Sequence, residues 1–141
     1  MCSSDLTLCI QICSDVTGLD PRTMDARVDT TFALGCGQTT GSRATIFSGN
    51  AVSLAAAKLR TALDGGATLA ALEGQVFEGD FTDTSTTRLD QPDPMIHLTF
   101  GFATQVAILD DAGRLTKFIA AHDVGKAINP LQCTEIGRAH V

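Results

Sequence analysis

The sequence predicts an α+β (mixed α/β) fold, with helices packed on a mixed sheet and a C-terminal β-hairpin. A long apolar stretch of helical period begins at Ala44, and two β-type segments near the C-terminus flank residues 110–113. Hydrophobic residues make up 44% of the 141 residues, which is enough for a core. A compact domain of this size buries roughly 68% of its unfolded surface.

The first half of the chain contains two predicted helices. One is a helical stripe that ends near Gly18, formed by apolar residues at positions 8, 9, 12, 13 and 16. Alternation over 24–29 then predicts a short strand. Residues 35–43 follow neither period and predict a glycine-rich loop, after which the second helix runs from Ala44 to Gly65.

The second half is predicted to be mostly β. A short helix near 68–73 and a strand near 75–82 precede a loop at 83–94, which is rich in Thr, Asp and Pro. Two β segments, 95–109 and 114–121, are predicted to form a hairpin because Asp and Gly in the connecting turn tolerate positive φ.

The C-terminal stretch 122–130 is predicted to be a polar loop. The Asn129-Pro130 pair at its end indicates entry into a further helix, because proline suits the first helical position.

Charge and composition exclude several classes of function. Ten Lys and Arg against sixteen Asp and Glu give a formal charge of -6, which argues against a nucleic-acid partner. No apolar run reaches the ~18 residues of a membrane helix, so we expect no membrane partner. The five cysteines form no CxxC pair and the opening residues lack a signal-peptide pattern, which predicts reduced thiols and a cytoplasmic location.

The junction between the glycine-rich loop and the second helix is the strongest local candidate for a binding site. Gly41 allows close backbone approach, Ser42 or Thr45 can cap the helix, and Arg43 adds a positive charge. The first N–H groups of a helix have no internal partners, so a phosphate would be stabilised there. The alternative is an ordinary capped helix, because the loop contains neither GxxxxGK[ST] nor GxGxxG.

His122-Asp123 invites an acid–base interpretation, but neighbouring strand residues point to opposite faces. We favour a structural role in which Asp123 caps the following turn. His97 is interpreted as a strand residue, and neither histidine has a ligand set for zinc or copper nearby.

Two segments together resemble the large, molybdopterin-binding subunit of the xanthine dehydrogenase/aldehyde oxidase family of molybdenum hydroxylases. The first runs from Cys36 to Thr45 (CGQTTGSRAT) and continues at 48–52. The second is GFATQV at 101–106, which leads through the hairpin to AHDVG at 121–125 and on to INP. The resemblance covers nearly all of residues 7–134 in order.

The resemblance implies cofactor binding at the same loop. It assigns molybdopterin contacts to Gly41, Ser42, Arg43 and Ala44, with Thr40 and, more weakly, Thr39 as flanking support. In the family the molybdenum is held by the pterin's dithiolene sulfurs, so no protein metal ligand is implied. Asp123 and Asn129 are implied to be structural, at the seam between two cofactor-binding domains.

The family reaction hydroxylates a purine, another N-heterocycle or an aldehyde with oxygen from water, and belongs in part to purine metabolism. Electrons leave through iron–sulfur clusters to FAD or another acceptor, on other domains or subunits. The catalytic glutamate lies further downstream in the family, and Glu73, Glu78 and Glu135 do not occupy its context. The resemblance therefore assigns no catalytic residue here and implies an inactive fragment of an oxidoreductase.

Both ends of the chain are interpreted as library-preparation scars. The codons GAG-ATC-GGA-AGA-GCA-CAC-GTC would encode 135–141 and read like a sequencing adapter, and the opposite adapter strand would encode 1–6. We expect 7–82 to end a first molybdopterin-binding domain, 83–94 to be a linker, and 95–134 to begin a second such domain.

Two other interpretations stay open: a small non-enzymatic anion-binding or assembly module, and a decayed structural domain. Under the leading interpretation the apolar faces around Ile46 and Leu59, and around Val106 and Ile108, lack partners in this chain. Exposed apolar patches promote association, so we expect the isolated chain to associate or to pack loosely.

Overall fold

The described residues form helices and one antiparallel hairpin, which confirms the α+β class. A computed structural model describes residues 3–28, 30–31, 43–95 and 101–138. The chain divides into two units between Asp83 and Thr84. Its elements in order are α1 (Ser3–Thr17), α2 (Ala44–Asp64), β1 (Phe102–Leu109), β2 (Leu115–Asp123) and α3 (Pro130–Arg138), with single 3₁₀ turns at Pro21–Thr23 and Ala70–Leu72.

The first unit is built on the packing of α1 against α2. Their close contact includes Gly49, where an added Cβ would lie 3.0 Å from Ile12 Cδ1. Ala56 of α2 is 3% exposed, while most other apolar residues of the pair are only half-buried. The helices thus share a thin core, in which small residues permit the close approach.

The C-terminus of α1 is tied to α2 by polar contacts. Gly18 adopts a φ of 75°, and its N–H donates to the Ser14 carbonyl at 2.8 Å, which closes the helix as the sequence predicts. Arg60 Nη1 donates to the Thr17 carbonyl at 3.0 Å and its guanidinium pairs with Asp64. The Thr17 carbonyl at the end of α1 therefore finds a partner on the neighbouring helix.

The predicted strand at 24–29 is wrong where the structure describes it, because residues 24–28 form no ladder. Met24 and Ala26 are half-buried while Asp25 and Arg27 are exposed. The alternation is therefore real, but it records which side chains face inward and does not require a neighbouring strand.

The predicted strand at 75–82 is wrong for the same reason. Alternate residues from Phe77 to Asp83 are half-buried, in an extended segment that pairs with no strand among the described residues. This segment lies on α2: Lys58 Nζ donates to the Glu78 carbonyl at 2.7 Å, and Phe81 meets the ring of Phe47 edge-on at 6.1 Å.

The second unit contains the predicted hairpin, β1 paired antiparallel with β2. Asp110 Oδ1 accepts the N–H groups of Ala112 and Arg114 at 3.0 and 2.8 Å, and Gly113 supplies a φ of 78°. The ladder then carries one extra residue, Thr116, since Ile108 pairs with Lys117 and Leu109 with Leu115. Within the described residues the sheet has only these two strands, and every residue in them is exposed.

The predicted segments flanking the hairpin differ in their outcome. Residues 83–94 contain no helix or strand, as expected, and helix α3 begins at Pro130, with Asn129 Oδ1 accepting from the Gln132 N–H at 3.2 Å. The predicted start of the first β segment falls partly on residues 96–100, outside the described part. β2 continues two residues further than predicted, to Asp123.

Several large apolar side chains of the second unit are exposed. Phe102 is 72% exposed and Leu131 is 77% exposed.

Candidate functional site

The start of α2 is the described part of the predicted anion site. Arg43 holds the N-cap position with φ of -95° and ψ of -4°, and its side chain makes no capping hydrogen bond. Ala44 is the first helical residue, so both of these assigned residues belong to the helix start. Thr39, Thr40, Gly41 and Ser42 lie outside the described residues, and their assigned roles stay predictions.

The expectation that Thr45 caps this helix is wrong. Thr45 is the second helical residue, and a capping side chain has to come from the residue that precedes the helix. Arg43 occupies that position in an αR conformation, and arginine has no side-chain acceptor for the first N–H groups. Neither Arg43 nor Thr45 therefore supports the alternative that this is an ordinary helix with a side-chain cap.

The Arg43 side chain is held by the aromatic ring one turn along the helix. Its guanidinium carbon lies 4.9 Å from the centroid of Phe47, within the range of a cation–π contact. Phe47 is in turn fixed edge-on by Phe81 at an interplanar angle of 66°. The extended segment after the 3₁₀ turn thus supports the position of the arginine.

The electrostatics at this end of α2 favour a negative partner. The helix N-terminus carries partial positive charge, and the first turn contains no acidic residue to offset it. Arg43 is exposed and adds a full positive charge at the same place. An anion placed there would meet the N–H groups of the first helical turn and a guanidinium together.

Sequence reasoning missed the role of Phe81 and of Gly79 in building this end of the unit. A Cβ on Gly79 would overlap the Ala51 carbonyl oxygen and lie 2.7 Å from the Ala55 nitrogen, so the segment touches the helix backbone directly. The available signal was the alternation of 75–82, which predicts a strand but instead marks the face turned toward α2.

His122 and Asp123 do not form an acid–base pair. They pair across the hairpin with Ala103 and Phe102 respectively and, as neighbours on one strand, point to opposite faces. Asp123 Oδ1 accepts the Gly125 N–H at 3.0 Å, which confirms the turn-capping role. A depression of about 470 Å³ at this end of the hairpin is lined by exposed residues of both strands and gathers no catalytic set. His97 lies outside the described residues.

The Cys13 thiol is not activated. Burial raises the pKa of the Cys13 thiol, partly offset by a hydrogen bond with Thr17, and a raised pKa lowers the thiolate fraction that reacts. Cys9 is half-buried on the same helix and Cys133 is exposed on α3. Over the described ranges, no three His, Cys, Asp or Glu side chains gather as a metal site.

No helix in the described part of the chain combines the length and the apolar character needed to cross a membrane.

Comparison of the chain with known protein families, with curated proteins and with solved structures found no match. The case for a function therefore depends on the chemistry of the residues themselves.

Proposed function

We propose that this chain is a piece of a molybdenum hydroxylase of the xanthine dehydrogenase/aldehyde oxidase type, and that it helps to hold molybdopterin. The supporting observation is the start of α2, where exposed Arg43 stands at the N-cap, no acidic residue occupies the first turn, and no Arg43 side-chain bond caps the helix. The residues at this point fit a phosphorylated ligand, because each of these features favours an anion.

Each assigned residue has a role that its chemistry supports. The amide of Ala44, together with that of Ser42, would donate to phosphate oxygens, and the Arg43 guanidinium would add a charge-assisted hydrogen bond. Gly41 would let the loop approach the ligand, with Thr40 as flanking support. When bound, the cofactor would supply the redox centre at which a purine, an N-heterocycle or an aldehyde is hydroxylated with oxygen from water.

The remaining machinery is proposed to lie elsewhere in a longer parent protein. That parent would carry the catalytic glutamate, the iron–sulfur clusters and FAD on other domains or subunits, and would be cytoplasmic, consistent with the scattered cysteines. This chain would then contribute binding contacts and have no hydroxylase activity of its own.

The anion-binding step can be tested on the chain itself. We expect inorganic phosphate and pyrophosphate to shift the amide resonances of Ala44, Thr45 and Ile46 in a saturable titration. R43E should abolish the shifts, because it replaces the guanidinium with a carboxylate at the same helix start. R88E is the matched control, since Arg88 is an exposed arginine paired with Asp90 in a loop of the other unit. Equal shifts in R43E and the native chain would refute the site.

The family assignment is tested on the parent. The genomic sequence on both sides of 7–134 should continue as a molybdenum hydroxylase, and the purified parent should contain molybdenum. Replacing Gly41 by leucine in that parent should lower both molybdenum content and activity. A parent without molybdenum, or one whose activity survives the Gly41→Leu change, would contradict the assignment.

The second candidate function is a small assembly module. The observation that favours it is the hairpin, in which both strands are exposed along their whole length. An independent reading frame of 141 residues with its own start and stop signals would support this candidate over the first.

A further inference from the structure

The strand β2 has an unusual distribution of charge. Beyond the extra residue Thr116, its regular ladder runs from Lys117, opposite Ile108, to Asp123, opposite Phe102. A cation therefore stands at one end and a carboxylate at the other, and the intervening sequence, Phe-Ile-Ala-Ala-His, has no acidic residue, lysine or arginine. Ala120 is the midpoint of this regular stretch.

The outer edge of β2 pairs with no other strand in the described part of the chain. Among the described residues the sheet ends at β2, and Ile119 and Phe118 in its middle are 44% and 37% exposed. A two-stranded hairpin is marginally stable alone, and a free strand edge offers a row of backbone groups to another strand.

We propose that β2 pairs antiparallel with β2 of a second copy of this chain, about a two-fold axis through Ala120, to form a four-stranded sheet. Because Lys117 and Asp123 are equidistant from Ala120, this register places Lys117 of each copy directly opposite Asp123 of the other. The same register sets Ile119 opposite Ala121. Directly opposed side chains lie about 5 Å apart, close enough for the two ion pairs to form.

The charges select this register over its neighbours. A shift of the axis to Ile119 would oppose Lys117 to Ala121, and a shift to Ala121 would oppose Asp123 to Ile119, so both ion pairs would be lost. In-register parallel pairing would set like charges opposite each other at both ends. Of these arrangements, only the antiparallel one centred on Ala120 satisfies both charges in both copies.

The pairing also joins two apolar faces. Within one copy, Ile119 lies opposite Val106 on the face that also carries Ile108 and Phe102, because alternate residues share a face. All four are exposed in the single chain. Two copies side by side place these residues on one continuous face. This pairing uses only the edge strand β2 and does not depend on the proposed cofactor.

The test is sedimentation equilibrium of the full chain and four variants. The native chain should be a dimer in concentration-dependent exchange with monomer. K117D and D123K should each weaken the dimer by about tenfold, because each sets like charges opposite each other twice. The double variant K117D/D123K should recover the native affinity, since it restores both pairs with their signs exchanged. E73K, a charge reversal in the other unit, should leave the affinity unchanged.

Comparing D123K with the double variant separates pairing between copies from folding of one copy. Both variants lose the hydrogen bond from the Gly125 N–H to Asp123, but only the double variant restores the ion pairs. Circular dichroism of each variant should retain the native spectrum. A strictly monomeric native chain would overturn the proposal. A dimer affinity that is the same in K117D, D123K and the double variant as in the native chain would also overturn it. So would a double variant that dimerises no more tightly than the single variants.

Discussion

At the scale of single residues, the contact between Gly79 and the backbone of α2 leaves no room for a side chain. A Cβ there would overlap the Ala51 carbonyl oxygen. Gly79→Ala should therefore push the segment off the helix and lower the free energy of unfolding by about 1–3 kcal/mol. Urea unfolding followed by the helical circular-dichroism signal measures the change.

The matched control is Gly101→Ala. No atom lies within 4 Å of a Cβ built on Gly101, so this change should be nearly neutral. Equal effects of the two substitutions would show that the segment does not press on α2 as described. Loss of Phe81 from its place beside Phe47 should accompany the Gly79 change, and the Arg43 guanidinium would then lose part of its support.

At the scale of elements, the hairpin turn depends on one carboxylate. Hydrogen bonds from Arg114, first from its backbone N–H, lower the pKa of Asp110. A lowered pKa in the folded state means that the turn gains stability from this group above the ordinary carboxyl pKa. That stability is lost as the pH falls through the lowered value.

We therefore expect the amide protons of Ala112 and Arg114 to lose protection from exchange at acidic pH, while α1 and α2 keep theirs. D110A should show the same loss already at neutral pH. D111A is the control, because the Asp111 side chain makes no hydrogen bond within the described residues. Protection that is independent of pH and of Asp110 would contradict this account of the turn.

Local chemistry explains which elements were predictable. The turn at 110–113 and the α3 start at Asn129 were predictable because each depends on contacts between residues at most four positions apart. The alternation of half-buried and exposed residues over 24–27 and 77–82 was also predictable, but strand pairing was not, because pairing depends on a partner from elsewhere in the chain.

The candidate site was also predictable from the sequence only in part. Sequence alone placed Arg43 and Ala44 at a helix start, because the change of period at Ala44 is local. The edge-on contact of Phe47 with Phe81, which fixes the ring beneath Arg43, depends on the path of a segment more than thirty residues away. Nothing in the local pattern specifies that path.

At the scale of the whole molecule, large apolar side chains such as Phe102 and Leu131 stay exposed in the single chain. The heat-capacity change of unfolding follows the apolar area that unfolding exposes. We expect this change to fall below the usual value of about 12–15 cal/mol/K per residue when the chain is measured at high dilution. Scanning calorimetry measures it, and a normal heat-capacity change would contradict the exposure of these side chains.

Strand β1 carries no charged residue from Phe102 to Leu109, so its outer edge lacks the lysines and prolines that discourage further strands from adding. Pairing through β2 alone closes after two molecules, whereas pairing that uses the β1 edge as well repeats without limit, as in a filament. Whether the β1 edge also pairs therefore decides whether the chain forms a closed dimer or a growing fibre.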